Sequence, residues 1–326
     1  MIIAEIGSVH DGSFGNACKL VEAAAAAGAD AVKFQTHIAA AETLRNAPMP
    51  PYFKGEPRFE YFTRTAFSVE QHGALSALCQ ENKVEFISSP FSLEAVDLLE
   101  TVGVGTYKIP SGEVTNIPLL EYVAATGKPV LLSSGMSDWQ ELDAAVTVLR
   151  KGGPLTILQC TSAYPCPPER VGLNVLAEMR ERYGLPVGFS DHTLGPAAAF
   201  AAAALGADVI EKHFTFSRLM YGSDAANSME PAEFKAFCQG LRDIWIMRRS
   251  LVDKSDLTAY RDMKRIFEKS VVTARPIVEG AKIQAADLAY KKPGDGISAA
   301  KWRDLIGKTA TRDLPADYKI IETDLA

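Results

Sequence analysis

The chain has 326 residues, a length that suits one large domain followed by a small one better than a single small core. Apolar residues make up 47% and charged residues 23%, the composition of an ordinary soluble globular protein. The net charge of −6 argues against a nucleic-acid groove or an anionic membrane surface, so we expect neither nucleic acid nor membrane as a partner.

Short β-branched segments alternate with alanine- and leucine-rich helical patterns from the N-terminus onward. The predicted strands are Ile2–Ile6, Ala31–Gln35, Glu85–Ser88, Tyr107–Ile109, Val130–Ser133, Thr156–Cys160, Val187–Phe189 and Val209–Lys212. The predicted helices include Ala17–Ala27, Val69–Asn82, Leu93–Val102, Gln140–Arg150, Ala197–Ala204 and Pro231–Arg248. Eight strand–helix units predict an α/β fold, a (β/α)8 TIM barrel over residues 1–249. The interval Ala40–Phe67 is rich in proline, glycine and aromatic residues and predicts a long loop. Long loops without secondary structure are uncommon unless they have a function.

The pattern changes after Ser250. Residues 250–269 are charge-rich and are predicted to be a linker or a solvated helix. Residues 274–289 (ARPIVEGAKIQAADLA) and 311–326 (TRDLPADYKIIETDLA) then share several residues at matching offsets. This internal repeat predicts a compact, pseudo-symmetric β-rich domain over residues 270–326.

The cysteines and the N-terminus indicate a compartment. Five cysteines without CxxC spacing argue against a disulfide framework and favour a reducing cytosol. The opening MIIAEIG is too short and lacks the basic start of a signal peptide. We therefore expect a cytoplasmic protein.

Polar residues end every predicted strand, and barrel enzymes place their chemistry at those ends. We expect one shared pocket there. Two lysines with several hydroxyls predict a site for phosphate or carboxylate: Lys33, Lys108, Ser89, Ser111, Ser133 and Ser134. No glycine-rich dinucleotide fingerprint follows the first strand, which argues against a nicotinamide cofactor.

Two histidines, His192 and His213, end the neighbouring seventh and eighth strands. Two imidazoles there can share one divalent cation, with water and substrate oxygens as the other ligands. Asp191, Glu211 and Asp224 are close in sequence and suit direct or supporting oxygen contacts.

Ten segments, in order along nearly the whole chain, resemble the sialic acid synthase family, which includes N-acetylneuraminate, legionaminate and pseudaminate synthases. They are AEIGSVHDG (4–12), VKFQTH (32–37), FISSPFS (86–92), YKIPSGEVTNIPLL (107–120), LLSSGM (131–136), CTSAYPCPPE (160–169), GFSDHTLG (188–195), IEKHFT (210–215), SDAANSMEP (223–231) and KKPGDGI (291–297). The resemblance implies a barrel followed by a small antifreeze-like (SAF) domain, in agreement with the prediction from the pattern.

The resemblance also implies residue roles. His192 and His213 would hold Mn2+ or Mg2+. Phosphoenolpyruvate would be surrounded by Lys33, Lys108, Ser89, Ser111, Ser133 and Ser162. The sugar would face Gln35, Glu113, Tyr164 and Asp224, and Glu5 would lie near the reacting carbons. An exchange of the C-terminal domain between the subunits of a homodimer is implied as well.

Two departures from the family pattern bear on the sugar. Val9 precedes His10 where the family often has Asn, and the lid motif K-R-P-G reads Lys291-Lys292-Pro293-Gly294 here. In the family that arginine reaches the acyl-amino group of the sugar. Lys292 is the residue we expect in its place, and the exact sugar and its phosphorylation stay open.

The expected function is the condensation of phosphoenolpyruvate with an N-acetylmannosamine-type aldehyde and water, with C–O cleavage and release of phosphate. Glu5 or Glu113 would guide the water or stabilise the cationic centre, and the sequence leaves both open. One alternative is a Schiff-base aldolase with Lys108 as the nucleophile. Another is a non-catalytic sugar-binding protein on the same barrel.

Overall fold

The computed structural model describes residues 1–48, 56–222 and 224–326. They divide into two units, Met1–Ser250 and Leu251–Ala326. No helix among the described residues has the length and apolarity needed to cross a membrane. The five cysteines are all free.

Eight parallel strands of the first unit close into a barrel in sequence order, which confirms the predicted (β/α)8 architecture. Each strand pairs with its neighbours along the chain, and the first pairs with the last, Glu5 lying opposite both Lys33 and His213. The strands are β1 (Ile2–Gly7), β2 (Ala31–Thr36), β3 (Glu85–Pro90), β4 (Thr106–Ile109), β5 (Val130–Ser133), β6 (Leu155–Cys160), β7 (Val187–Asp191) and β8 (Val209–His213).

Helices surround the barrel and connect its strands. They are α1 (Phe14–Ala26), α2 (Ala39–Glu42), α3 (Arg58–Thr65), α4 (Val69–Glu81), α5 (Leu93–Val102), α6 (Ile117–Ala125), α7 (Trp139–Leu149), α8 (Val175–Tyr183), α9 (Ala197–Ala204) and α10 (Pro231–Arg249). Local sequence fixes several of their starts: in a reciprocal capping box, the Ser68 hydroxyl accepts from Gln71 N–H while the Gln71 side chain accepts from Ser68 N–H. The interval Ala40–Phe67, predicted as a loop, contains most of α2 and all of α3, and its residues 49–55 lie outside the described residues.

Inward-facing side chains change character along the strands. At the amino-terminal side a separate buried apolar cluster fills the barrel: Ile3, Ala31, Ile87, Leu131, Leu158 and Val209. Side chains of a strand alternate between its two faces, so the residue two positions later faces inward again. At that next level Glu5, Lys33 and Glu211 replace Ile3, Ala31 and Val209, and the apolar interior gives way to charge.

The second unit begins with α11 (Arg261–Phe267) and contains an antiparallel pair, β9 (Ser270–Thr273) with β10 (Leu288–Lys291). Its internal repeat is visible in the ion pairs. Arg275 Nη2 lies 2.7 Å from Asp287 Oδ1 and Arg312 Nη2 lies 2.8 Å from Asp324 Oδ1, at the same offset in the two copies. A small apolar core packs beneath them: Val271, Ile277, Ile283, Leu288, Leu305, Ala310, Leu314 and Ile320. The expected linker, residues 250–269, thus carries a helix of its own.

Candidate active site

A cavity of about 310 Å³ opens at the carboxyl ends of the barrel strands. Most of the side chains predicted as site residues line it: Glu5, Lys33, Gln35, Lys108, Ser111, Ser133, Ser162, Tyr164, His192, His213 and Asp224. They come from seven of the eight strands or the connections that follow them, which explains why residues far apart in sequence meet here.

A ladder of alternating charges forms the floor of this cavity. Lys33 Nζ lies 2.8 Å from Glu5 Oε2 and 3.9 Å from Glu211 Oε2. Lys108 Nζ lies 3.1 Å from Glu211 Oε1. All four side chains are buried, where an ionised group is costly unless it is paired. The two lysines and two carboxylates therefore compensate one another before any substrate binds.

Glu211 connects the two lysines, whereas the sequence suggested it only as a direct or supporting oxygen contact near the histidine pair. Burial raises the pKa of its carboxyl group, but Lys108 and Lys33 outweigh burial and lower the pKa to about 2. Ser190 Oγ donates to the same carboxylate at 2.9 Å. The sequence signal was its position on β8, two residues before His213 and therefore on the same face of the strand.

The carboxylate of Glu5 is oriented by a chain of hydrogen bonds. Gln35 Nε2 donates to Glu5 Oε1 at 2.8 Å, and His37 Nε2 donates to Gln35 Oε1 at 3.1 Å. His37 Nδ1 lies 2.7 Å from Glu42 Oε1. The rings of Phe62 and Phe91 stack on the imidazole, with centroids 3.7 and 4.1 Å away. Because Gln35 can donate only through its amide nitrogen, this chain fixes the direction of its side chain.

Serine hydroxyls lie on the β4–β6 side of the cavity. Ser111 Oγ accepts from Gly135 N–H at 2.9 Å. Ser133 Oγ is buried and has no hydrogen-bond partner among the described residues, which leaves it available to a ligand. Gly135 is required here because a Cβ atom would lie 2.5 Å from the hydroxyls of both Ser111 and Ser162. A substrate oxyanion can thus meet several donors at once.

His192 and His213 meet at the β7–β8 side, with ring centroids 5.6 Å apart. His192 Nδ1 donates to the Thr161 carbonyl at 2.9 Å, so Nε2 carries the lone pair and faces the Tyr164 hydroxyl at 3.2 Å. His213 Nδ1 is buried without a hydrogen-bond partner in the described part of the chain, and burial lowers the pKa of the ring. Both imidazoles are therefore suited to ligate a cation.

No group of three histidine, cysteine, aspartate or glutamate side chains suited to a metal occurs in the ranges that the structure describes. In an open catalytic site, by contrast, substrate and water supply the ligands that the protein does not. Asp191 has a different partner: its carboxylate is paired with the buried Lys212, 2.9 Å away. Lys212 Nζ also donates to the Gly195 carbonyl at 3.2 Å, which holds the loop after His192.

Three predicted site residues do not line the cavity. Ser89 is buried, and its Oγ lies 3.4 Å from Lys33 Nζ. The Glu113 carboxylate accepts from Asn116 Nδ2 at 2.8 Å, in the turn that follows β4. Lys292 belongs to the second unit, where its Nζ lies 4.9 Å from the centroid of the Phe267 ring. Ser134, also considered for the anion site, donates to the Leu158 carbonyl instead.

Several lining residues were not predicted from the sequence: Ser8, Arg58, Tyr61, Phe62, Phe91, Met136, Cys160 and Ser190. Arg58, Tyr61 and Phe62 all lie in α3. The available signal was the unusual length and aromatic content of the segment between β2 and α4, which suggested function without indicating which side chains turn inward.

The chain is similar to known proteins over most of its length. Residues 20–252 match the NeuB family and residues 268–324 match the SAF domain. The N,N'-diacetyllegionaminic acid synthase of Campylobacter jejuni is 37% identical over 331 residues, which cover 99% of this chain and 99% of that protein. The enzyme of the same name from Legionella pneumophila is 35% identical, covering 98% and 93%.

A solved structure is similar as well. The N-acetylneuraminic acid (sialic acid) synthetase of Leptospira borgpetersenii, in complex with citrate, superposes with a TM-score of 0.70 at 29% identity, over 80% of this chain and 89% of that one. The family match spans well over half of the chain and includes most of the residues that line the cavity. The resemblance found in the sequence is confirmed, and the chain belongs to the NeuB family.

Proposed function

We propose that this protein condenses phosphoenolpyruvate with an N-acetylmannosamine-type amino-sugar aldehyde and water to give a sialic-acid-like nonulosonate and phosphate. The proposal rests on one observation: a group of lysines and serines and a pair of histidines line the same cavity. The first suits the anionic donor, and the second suits the carbonyl of the acceptor. The names of the relatives support the same class of product.

In this reaction carbon 3 of phosphoenolpyruvate attacks the aldehyde carbon, and positive charge develops at carbon 2. Water adds at carbon 2, and phosphate leaves with cleavage of its C–O bond. Lys33 and Lys108, together with Ser111, Ser133 and Ser162, would hold the oxyanions of phosphoenolpyruvate. Holding two small substrates face to face supplies a large part of the rate enhancement.

Glu5 is the carboxylate that we assign to the cationic centre. It lines the cavity, and Gln35 and Lys33 hold its two oxygens in a fixed orientation. A preoriented negative charge stabilises developing positive charge without reorganisation. Glu113 lies outside the lining in this structure, so we assign it to the sugar side, with Gln35, Tyr164 and Asp224.

His192 and His213 would hold a divalent cation, Mn2+ or Mg2+. Once bound, such an ion polarises the aldehyde carbonyl as a Lewis acid. The Thr161 carbonyl would keep His192 in the ligating tautomer, because it accepts the proton of Nδ1. We expect excess EDTA to abolish activity and either cation to restore it, and full activity after chelation and dialysis would refute the assignment.

The assembly that we propose is a homodimer in which the C-terminal unit of one subunit covers the barrel of the other. A cationic intermediate needs protection from bulk water, and the open end of the barrel is the site of the chemistry. Lys292 would then approach the sugar. As a compact charge without the planar fork of arginine, it would hold an acyl-amide carbonyl less rigidly.

The Schiff-base aldolase has one observation in its favour. Burial lowers the pKa of Lys108, as a lysine nucleophile requires, although the neighbouring Glu211 opposes this shift. That mechanism leaves the histidine pair without a role. Borohydride added with pyruvate would trap a covalent lysine adduct in an aldolase and nothing in a synthase.

The proposed function is tested with a panel of six-carbon amino sugars, free and 6-phosphorylated, each mixed with phosphoenolpyruvate and Mn2+. We expect phosphate release that depends on one of these sugars, in equal amounts with a nonulosonate. No release above the background without sugar, from any member of the panel, would count against the proposal.

A further inference from the structure

Arg58 differs from the other cations of the cavity. The described lining residues include three lysine or arginine side chains: Lys33, Arg58 and Lys108. Each lysine has a carboxylate within 3.1 Å. Arg58 has no hydrogen bond or ion pair to any described residue, and its Nε is buried without a partner.

The position of this arginine is nevertheless fixed. Arg58 is the first residue of α3, and its guanidinium carbon lies 5.3 Å from the centroid of the Phe62 ring, one turn later in the same helix. The Phe62 ring in turn stacks on His37 at 3.7 Å. Contact with an aromatic face orients a guanidinium but satisfies none of its in-plane donors. The donors therefore remain available to a ligand in the cavity.

A buried donor without a partner costs free energy, and that cost is recovered when a ligand binds. The planar fork of arginine matches the oxygens of a phosphate group with two parallel hydrogen bonds. The charges of the floor are already compensated within the ladder of Glu5, Lys33, Glu211 and Lys108. At the α3 wall an additional dianion meets Arg58, a cation that makes no ion pair with a described residue and whose nearby carboxylate, Glu113, acts on it only as an unpaired neighbouring charge.

We propose that Arg58 is a substrate-binding residue that takes the phosphate monoester of a bound substrate. This inference rests on the proposed function, in which phosphoenolpyruvate carries one such group and a 6-phosphorylated amino sugar would carry another. The chemistry of recognition is the same in both cases, and the experiment separates the two sources.

The test compares Arg58→Ala and Arg58→Lys with Arg45→Ala. Arg45 is a matched control, because its guanidinium also lies over a phenylalanine ring, that of Phe59 at 4.6 Å, but Arg45 is exposed and does not line the cavity. Apparent KM values are measured for phosphoenolpyruvate and for phosphorylated and unphosphorylated sugars. The Kd of phosphoenolpyruvate is measured separately by calorimetry.

For Arg58→Ala we expect a rise of about tenfold to a hundredfold in the KM of the substrate whose phosphate is bound, with partial recovery in Arg58→Lys. A rise in the KM and Kd of phosphoenolpyruvate assigns Arg58 to the donor. A rise confined to the phosphorylated sugar, with loss of its preference over the unphosphorylated one, assigns Arg58 to the acceptor.

KM values of Arg58→Ala within twofold of those of Arg45→Ala, for both substrates, would overturn the proposal. A KM that rises only for the unphosphorylated sugar would overturn it as well. If the unaltered enzyme releases no phosphate with any sugar, the proposed function fails. The calorimetric Kd then still reports whether Arg58 binds the phosphate of phosphoenolpyruvate, so the two failures are distinguishable.

Discussion

At the scale of single residues, each charged side chain on the floor of the cavity lies next to one of opposite charge. Each lysine of the floor contacts a glutamate, so substrate oxyanions meet lysine side chains that are already held in place. Lys33, Lys108 and Glu5 were predicted from the sequence because polar residues at the ends of barrel strands share one pocket. Glu211 was expected only as an oxygen contact near the histidine pair, and its pairing with Lys33 and Lys108 could not be predicted because those lysines lie on other strands.

The first prediction concerns His213. Its Nδ1 makes no hydrogen bond to a described residue, so His213→Ala removes no hydrogen bond through that atom, and we expect a folded barrel that has lost turnover by orders of magnitude. Thermal unfolding and kcat are measured together. His72→Ala is the control: that buried histidine contacts the Ser68 carbonyl at 3.0 Å outside the cavity, and its loss should reduce stability more than kcat. Unfolding of His213→Ala would indicate a structural residue.

The second prediction concerns Glu113. Burial raises the pKa of its carboxyl group, so the folded state binds the proton more tightly than the unfolded state. The resulting stability is present below the ordinary pKa of glutamate and is lost as pH rises through the folded value. Glu113→Gln cannot ionise, and it retains an amide oxygen for Asn116 to donate to. Its free energy of unfolding relative to the unaltered protein should therefore increase as pH rises.

Urea titrations across the acid range to neutral pH measure this difference. The exposed Glu70 provides a control of opposite sign, because a hydrogen bond from Ser68 lowers its pKa. Glu70→Gln should lose a little stability, relative to the unaltered protein, as pH rises. A Glu113→Gln difference that is constant with pH would show that Glu113 has no raised pKa.

At the scale of elements, the strands could be predicted to within about two residues at each end because each is a short β-branched run between polar ends. The eight predicted strand–helix units include α6 and α8, but no bounds were predicted for these two helices. α6 is short and has a proline in its first turn, and α8 has only nine residues, four of them arginine or glutamate, so each gives a weak helix signal in the sequence. Arg58 could not be assigned from the sequence, since its direction depends on how the β2–α4 connection folds.

The third prediction separates two glycines by the elements that contain them. Gly73 lies inside α4 with nothing near its missing Cβ, so Gly73→Ala should stabilise the protein by about 0.5–1 kcal/mol. Gly188 lies in β7, where a Cβ would collide with Leu158 and sit 2.6 Å from the Val209 carbonyl. Gly188→Ala should cost about 1–3 kcal/mol. Urea unfolding gives both values, and equal effects would contradict the packing described for β7.

At the scale of the whole molecule, the change of pattern after Ser250 and the repeat in residues 274–326 predicted a second domain, and the chain does form a second unit. The sequence could predict the pseudo-symmetry because the two copies retain the same residues, down to their arginine–aspartate pairs. The proposed exchange between subunits could not be predicted from periodicity, because contacts between subunits leave no periodic signal in a single sequence.

The fourth prediction tests the proposed exchange of the C-terminal unit. Two inactive variants, His213→Ala and Lys292→Glu, are co-expressed with different tags, and the mixed dimer is purified through both. In an exchanged dimer one site combines an intact barrel with an intact cover, so about half of the normal activity per dimer should return. A mixed dimer as inactive as its parents would show that each C-terminal unit serves its own barrel or none.

The central claim is C–O cleavage during condensation, and the fate of the bridging oxygen tests it most directly. Phosphoenolpyruvate labelled with 18O at the bridging position is incubated with the accepted amino sugar and Mn2+, and both products are analysed by mass spectrometry. We predict that the label leaves entirely with phosphate and that the oxygen at carbon 2 of the sugar acid comes from water. Retention of the label in the sugar acid would mean P–O cleavage and would contradict the mechanism proposed for this cavity.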